Sequence, residues 1–80
     1  MPKSRVSSKN LGLTQKFARY LGNQRSKRKW SLRELASRSG ISLTRLWNYE
    51  QGNHSPNLTA LVKMARAFGM PLSRFVKPLE

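Results

Sequence analysis

The chain has 80 residues, sixteen Lys and Arg against three Asp and Glu, one His and no Cys, for a net charge of +13. That length makes one domain with a small core. Without cysteine, neither a disulfide nor a thiolate-held metal can brace it, and three acids with one His leave no convincing catalytic constellation, so an enzyme is not expected and no cofactor is called for.

The charge excess is self-repelling unless a polyanion relieves it, which leaves nucleic acid or an anionic membrane surface as partner. No apolar run approaches membrane-spanning length, and no charged-then-apolar leader resembles a secretory signal. The apolar positions are needed for a core, and the basic residues are not confined to one amphipathic helix, so membrane binding is not expected either. The expectation is a soluble, cytoplasmic, nucleoid-associated protein.

Residues 1–12 read as a disordered basic arm, with Pro2, Lys3, Arg5 and Lys9 and little apolar content, ahead of a domain over 13–80. From about Leu13 the spacing of Leu13, Phe17, Tyr20 and Leu21 predicts an amphipathic helix, interleaved with Lys16, Arg19 and Arg25. Gly22 weakens it by about 1 kcal/mol relative to Ala, or else permits a close backbone approach. Arg25 to Trp30 forms its basic C-terminus and a turn, where Lys and Arg suit the helix dipole.

Ser31 then reads as an N-cap, with Glu34 completing a capping box and Trp30 stapling onto Leu35. Leu32, Leu35 and Ala36 are the inner face of this second helix, and Gly40 ends it in a left-handed conformation. Ser42 caps a third helix over Leu43 to about Gln51, with Ile41 packing on Leu46 and Gly52 as the stop. His54 lies in the following Gly-Asn-His-Ser-Pro loop and lacks the Cys or acid neighbours that a metal ligand needs, so no metal is expected. Asn57 caps a fourth helix, about Leu58 to Phe68, whose inner face is read as Leu58, Leu61, Val62, Ala65 and Phe68. Gly69 stops it, and Pro71 starts a short fifth helix with Leu72, Phe75, Val76 and Leu79 on one side. No strand pattern occurs, so the fold class is all-α with five helices.

A helix that breaks at Gly40 and restarts three residues later fits two helices crossing steeply. Ala36 is small enough for a close crossing, and Leu46 and Tyr49 face back into the core. Such a pair is a helix-turn-helix, whose second helix lies in the DNA major groove.

The chain resembles the Xre/Cro, or lambda-repressor-like, helix-turn-helix family from about Phe17 to Val76. The resemblance rests on "WSLRELASRSGIS", "LTRLWNYEQG", "SPNLTALVKMARAFGMPLSRF" and Arg25. It implies a five-helix DNA-binding domain, an ion pair between Arg25 and Glu50, and base-reading positions at Leu43, Thr44, Trp47 and Asn48. Arg45 is an adjacent candidate for base or phosphate. Asn can bond adenine and Arg guanine bidentately, and Leu43 can touch a thymine methyl. Trp47 is either a packing residue against the first helix or a loop, or a flat contact on sugar and phosphate. Departures from the family are Leu32 in place of a frequent Gln, Lys29 in place of a frequent Gly, and Gln24 in place of an apolar residue.

Phosphate contacts are expected from Arg19, Lys27, Arg28, Lys29, Ser31, Arg33, Asn53, His54 and Ser55, which would position the domain without reading sequence. Lys3 and Arg5 either reach an adjacent minor groove or add nonspecific attraction. Two functions fit: a transcriptional regulator that reads double-stranded DNA, as a monomer or a homodimer, and an interaction module whose main partner is a protein. The second would need an exposed apolar surface, for which Met64, Met70, Phe75 and Leu79 are the candidates.

Overall fold

The computed structural model describes residues 2–80, and the side chains of residues 12–80. Five helices follow in order, α1 (Pro2–Lys27), α2 (Leu32–Ser39), α3 (Leu43–Gln51), α4 (Leu58–Ala67) and α5 (Leu72–Val76), closed by a 3-10 turn at Lys77–Leu79. Among the described residues there is no strand, so the all-α, five-helix class holds. Helix α1 starts at Pro2 rather than near Leu13. Apolar spacing marks only the stretch that carries an apolar stripe, and residues 2–10 offer Val6 alone, so the reading had no signal there. The side chains of Lys3 and Arg5, considered for a minor groove, lie outside the described residues.

Three helix starts are capped by the residues that the sequence offers. Ser31 Oγ accepts from the Glu34 amide at 3.0 Å, Ser42 Oγ from that of Arg45 at 3.2 Å, and Asn57 Oδ1 from that of Ala60 at 2.8 Å. Each bond satisfies a donor that the first turn would otherwise leave orphaned. The capping box is only half made. The Glu34 carboxylate accepts from Arg38 Nε at 2.9 Å, a charged donor one turn along that outcompetes a neutral backbone amide.

The core is built from Phe17 and Leu21 of α1, Leu35 of α2, Leu46 and Tyr49 of α3, Ala60, Met64 and Ala65 of α4, and Ile41, Phe68 and Phe75. Phe75 lies among three rings, with centroids 5.3 Å from Tyr20, 5.7 Å from Phe68 and 6.3 Å from Phe17, the last edge-on. The Tyr20 hydroxyl donates to the Phe75 carbonyl at 2.6 Å. Burial pushes the Tyr20 phenol above its ordinary pKa, with the nearby Arg28 charge opposing.

Several core assignments need correction. Leu13 and Leu58 are exposed, Leu58 by 66%. Leu58 is the first residue of α4 and reaches past the core, while Ala60, Met64 and Phe68, spaced four apart, form the inner stripe. Met64 and Phe75, considered as surface for a protein partner, are wholly buried, and Met70 and Leu79 pack partly buried against the core. Trp30 packs against the core cluster that includes Leu35 and also stacks on Phe68, with centroids 5.5 Å apart and planes 7° from parallel.

Candidate nucleic-acid interface

Helix α3 is presented by a turn and a clamp. The turn begins at Gly40, whose φ of 75° is the left-handed region that a Cβ disfavours, and whose amide bonds back to the Ala36 carbonyl at 2.9 Å. Ile41 follows as a buried anchor, its amide donating to Ser39 Oγ at 3.2 Å. Ala36 is partly buried against the core at this crossing. Leu46 and Tyr49 are buried beneath α3, so its orientation about its own axis is fixed by core packing.

The clamp is Arg25 of α1 against Glu50 of α3. Arg25 Nε and Nη2 donate to the two Glu50 carboxylate oxygens at 2.7 and 2.9 Å, and Nη1 donates to the Trp30 carbonyl at 2.8 Å. One planar guanidinium thus ties together α1, the turn before α2, and α3. The side chains are only 23% and 12% exposed, so the pair is partly shielded from water. The hydrogen bond to Glu50 raises the Arg25 pKa above its ordinary value, outweighing the opposite pull of burial, and the Glu50 charge adds to it. Gly22 faces the same carboxylate: a Cβ there would stand 3.7 Å from Glu50 Oε1, an ordinary contact.

The outward side of α3 is open. Thr44 and Arg45 are exposed, Leu43 and Asn48 are half-buried, and Trp47 keeps 51% of its surface exposed. Trp47 is therefore not a packing residue of the core. Two grooves flank this face. On one side Leu43, Thr44 and Trp47 meet Ser31, Leu32 and Arg33 at the start of α2, around a space of about 510 Å³. On the other, Arg45 and Asn48 meet His54, Ser55 and Asn57 around about 340 Å³. The fold thus gathers the five candidate base-reading side chains with Ser31, Arg33, His54 and Ser55.

Local bonds hold several of these groups. Asn48 Nδ2 donates to the Thr44 carbonyl at 3.1 Å, and its Oδ1 accepts from Asn53 Nδ2 at 3.0 Å. One amide proton and one lone pair of Asn48 remain outside those two bonds, the pair that an adenine edge requires. Ser55 Oγ lies 2.6 Å from Thr14 Oγ1, tying the loop to α1. Arg19, Lys27, Lys29, Arg33, Asn53 and His54 are exposed.

Arg28, expected to contact phosphate, is also bonded within the domain. Its Nη1 donates to the Gln24 carbonyl and side-chain oxygen at 2.9 and 3.1 Å, and its Nη2 to the Phe68 carbonyl at 3.2 Å. The guanidinium sits 4.7 Å from the Phe68 ring centroid and 5.6 Å from that of Trp30. Three of its hydrogen bonds go to acceptors inside the domain, and Gln24, polar in a helix face, is the buried residue that supplies two of them. The four-residue spacing of Gln24 and Arg28 was the available signal, since such residues are neighbours on a helix. The Asn53 bond to Asn48 had no comparable signal, because a loop does not hold a fixed period. Lys29 adopts φ 58°, the left-handed region that glycine enters without strain.

Among the described residues no helix is long and apolar enough to cross a membrane, and no group of three His, Cys, Asp or Glu could hold a metal ion. Residues 16–75 match the family model of a helix-turn-helix domain. The chain is 37% identical over 54 residues to the HTH-type transcriptional regulator SutR of Escherichia coli (strain K12), which covers 68% of this chain and 30% of that protein. It is also similar to the crystal structure of an HTH_3 family transcriptional regulator from Vibrio cholerae, with TM-score 0.78 and 29% identity over 86% of this chain and 39% of that one. The chain thus spans roughly a third of the length of these relatives.

Proposed function

The chain belongs to the helix-turn-helix domain family, of the Xre/Cro or lambda-repressor-like kind, and on that premise we propose that it is a sequence-specific DNA-binding regulator of transcription. It is of the small phage, plasmid or bacterial type, acts at the nucleoid, is not an enzyme, and reads the major groove with α3. Residues 13–80 are the reading unit. Leu43, Thr44, Arg45, Trp47 and Asn48 address bases, while Arg19, Lys27, Lys29, Ser31, Arg33, Asn53, His54 and Ser55 address phosphates.

One observation carries this reading: α3 is pinned from beneath by Leu46, Tyr49 and the Arg25–Glu50 pair, yet its opposite side leaves Thr44, Arg45 and Trp47 exposed. A rigid helix with polar and apolar groups facing outward, on a chain of net charge +13, is suited to a polyanion that carries base-edge information. Phosphates draw the domain in and fix its register, and the outward side chains then discriminate between sequences.

The test is selection of bound sites from random duplex DNA, followed by titration of the selected site and of an unrelated duplex. Asn48→Ala should weaken the selected site by about ten-fold or more and leave the unrelated duplex nearly unchanged. Lys27→Ala should weaken both alike and lower the dependence of binding on salt, because one fewer counterion is released. Equal losses on both duplexes for both variants would remove the base-reading role of α3, and binding that does not weaken with salt would remove the DNA function itself.

A further inference from the structure

The groove between the starts of α2 and α3 is apolar where its surroundings are cationic. Leu32, Leu43 and Trp47 line it, with Ser31, Arg33 and Thr44 at its margins. The Ser31 hydroxyl already accepts the Glu34 amide, which leaves the Thr44 hydroxyl and the Arg33 guanidinium as the hydrogen-bonding groups at the margin. We propose that this groove reads thymine by its C5 methyl group, making Leu32, Leu43 and Trp47 the determinants of a thymine preference beneath the first half of α3. The inference rests on the DNA-reading function above and deepens it.

Three observations lead to thymine in place of another occupant. The first is chemical: the thymine methyl is the one apolar group that unmodified base pairs display in the major groove, and it fits a wall that offers carbon rather than donors. The polar edge of a G·C pair set against the Leu32 and Leu43 side chains would lose water and gain no partner from them. The second is electrostatic. Exposed Arg33 borders the groove, so a cation is placed to hold the sugar-phosphate strand that carries the base. A second copy of the chain would bring another +13 to the same place. The third is positional. Trp47 lies outside the core cluster and half exposed, so its ring is available for contact rather than committed to the fold.

The experiment uses the full chain and its selected site. Each thymine is replaced in turn by deoxyuridine, which removes the methyl and keeps the pairing edge. At one or more positions affinity should fall about four-fold, the worth of one methyl-sized group taken from water. Leu32→Gln and Trp47→Ala should each lose that discrimination while keeping the salt dependence, with circular dichroism confirming that both variants fold. Trp47 stands outside the core, so the second variant remains informative if the first unfolds. A selected site indifferent to deoxyuridine at every thymine would overturn the inference and leave the DNA function standing. Failure to enrich any site would overturn both. Indifference to deoxyuridine together with self-association that Trp47→Ala abolishes, seen by sedimentation, would assign the groove to a second copy instead.

Discussion

On its inner side α3 sets Leu46 and Tyr49 into the core and hands Glu50 to Arg25, so its apolar groups are covered and its acid is doubly bonded. One residue on from Leu46, Trp47 is half exposed, and Thr44 and Arg45 stand in solvent. A nine-residue helix has too few hydrogen bonds to hold itself straight in water, so its inner side must supply the rigidity. The outer side is then free of stability constraints and can be composed for recognition. The same split divides the arginines: Arg25 and Arg28 are bonded to internal acceptors, whereas Arg33 and Arg45 remain exposed.

The sharpest way to break this contrast is to truncate neighbouring residues on the two sides. Leu46→Ala should cost about 3 kcal/mol or more in urea unfolding, because it empties a fully buried site. Trp47→Ala should change stability by less than about 0.5 kcal/mol and be felt in DNA affinity. A large stability loss at Trp47 would erase the division. Glu50→Ala should follow, at about 2–3 kcal/mol, since it strands a partly shielded Arg25. A double-mutant cycle with Arg25→Ala should return a substantial coupling energy, and additivity would show that the pair does not hold α3.

Arg28→Ala should cost about 1–2 kcal/mol through the lost Phe68 carbonyl bond and ring contacts. Thermal unfolding with DNA titration in parallel would check that Arg28 is spent on stability, against Lys27 spent on affinity. The smallest effect is a gain: Lys29→Gly should stabilise by up to about 1 kcal/mol, since φ 58° is strained for a residue with a Cβ. Chemical denaturation of the two forms would measure it, and a loss of stability would mean that the Lys29 side chain contributes more than its backbone costs.

Much of the fold could be read along the chain because its signals are local. Ser31, Ser42 and Asn57 cap the helices they were expected to cap, and Gly40, Gly52 and Gly69 adopt the left-handed conformation after α2, α3 and α4. Such choices depend on a few adjacent residues, so they are legible without a structure. The Arg25–Glu50 pair was legible only through resemblance, since 25 residues separate its partners. The errors share the opposite cause. Leu13 and Leu58 face solvent although their spacing points inward, and Met64 and Phe75, candidates for a partner surface, are buried; each depends on which way a helix faces once its neighbours have packed.

The sequence by itself determined five helices, their punctuation and a strongly cationic surface, because hydrogen-bonded caps, backbone conformation and net charge are set by nearest neighbours and by composition. Only the tertiary structure decided which arginines are consumed indoors, which face of α4 is buried, and that Leu32, Leu43 and Trp47 share one groove. Those outcomes follow from the packing of elements distant along the chain, where a rotation by a single residue exchanges buried and exposed side chains.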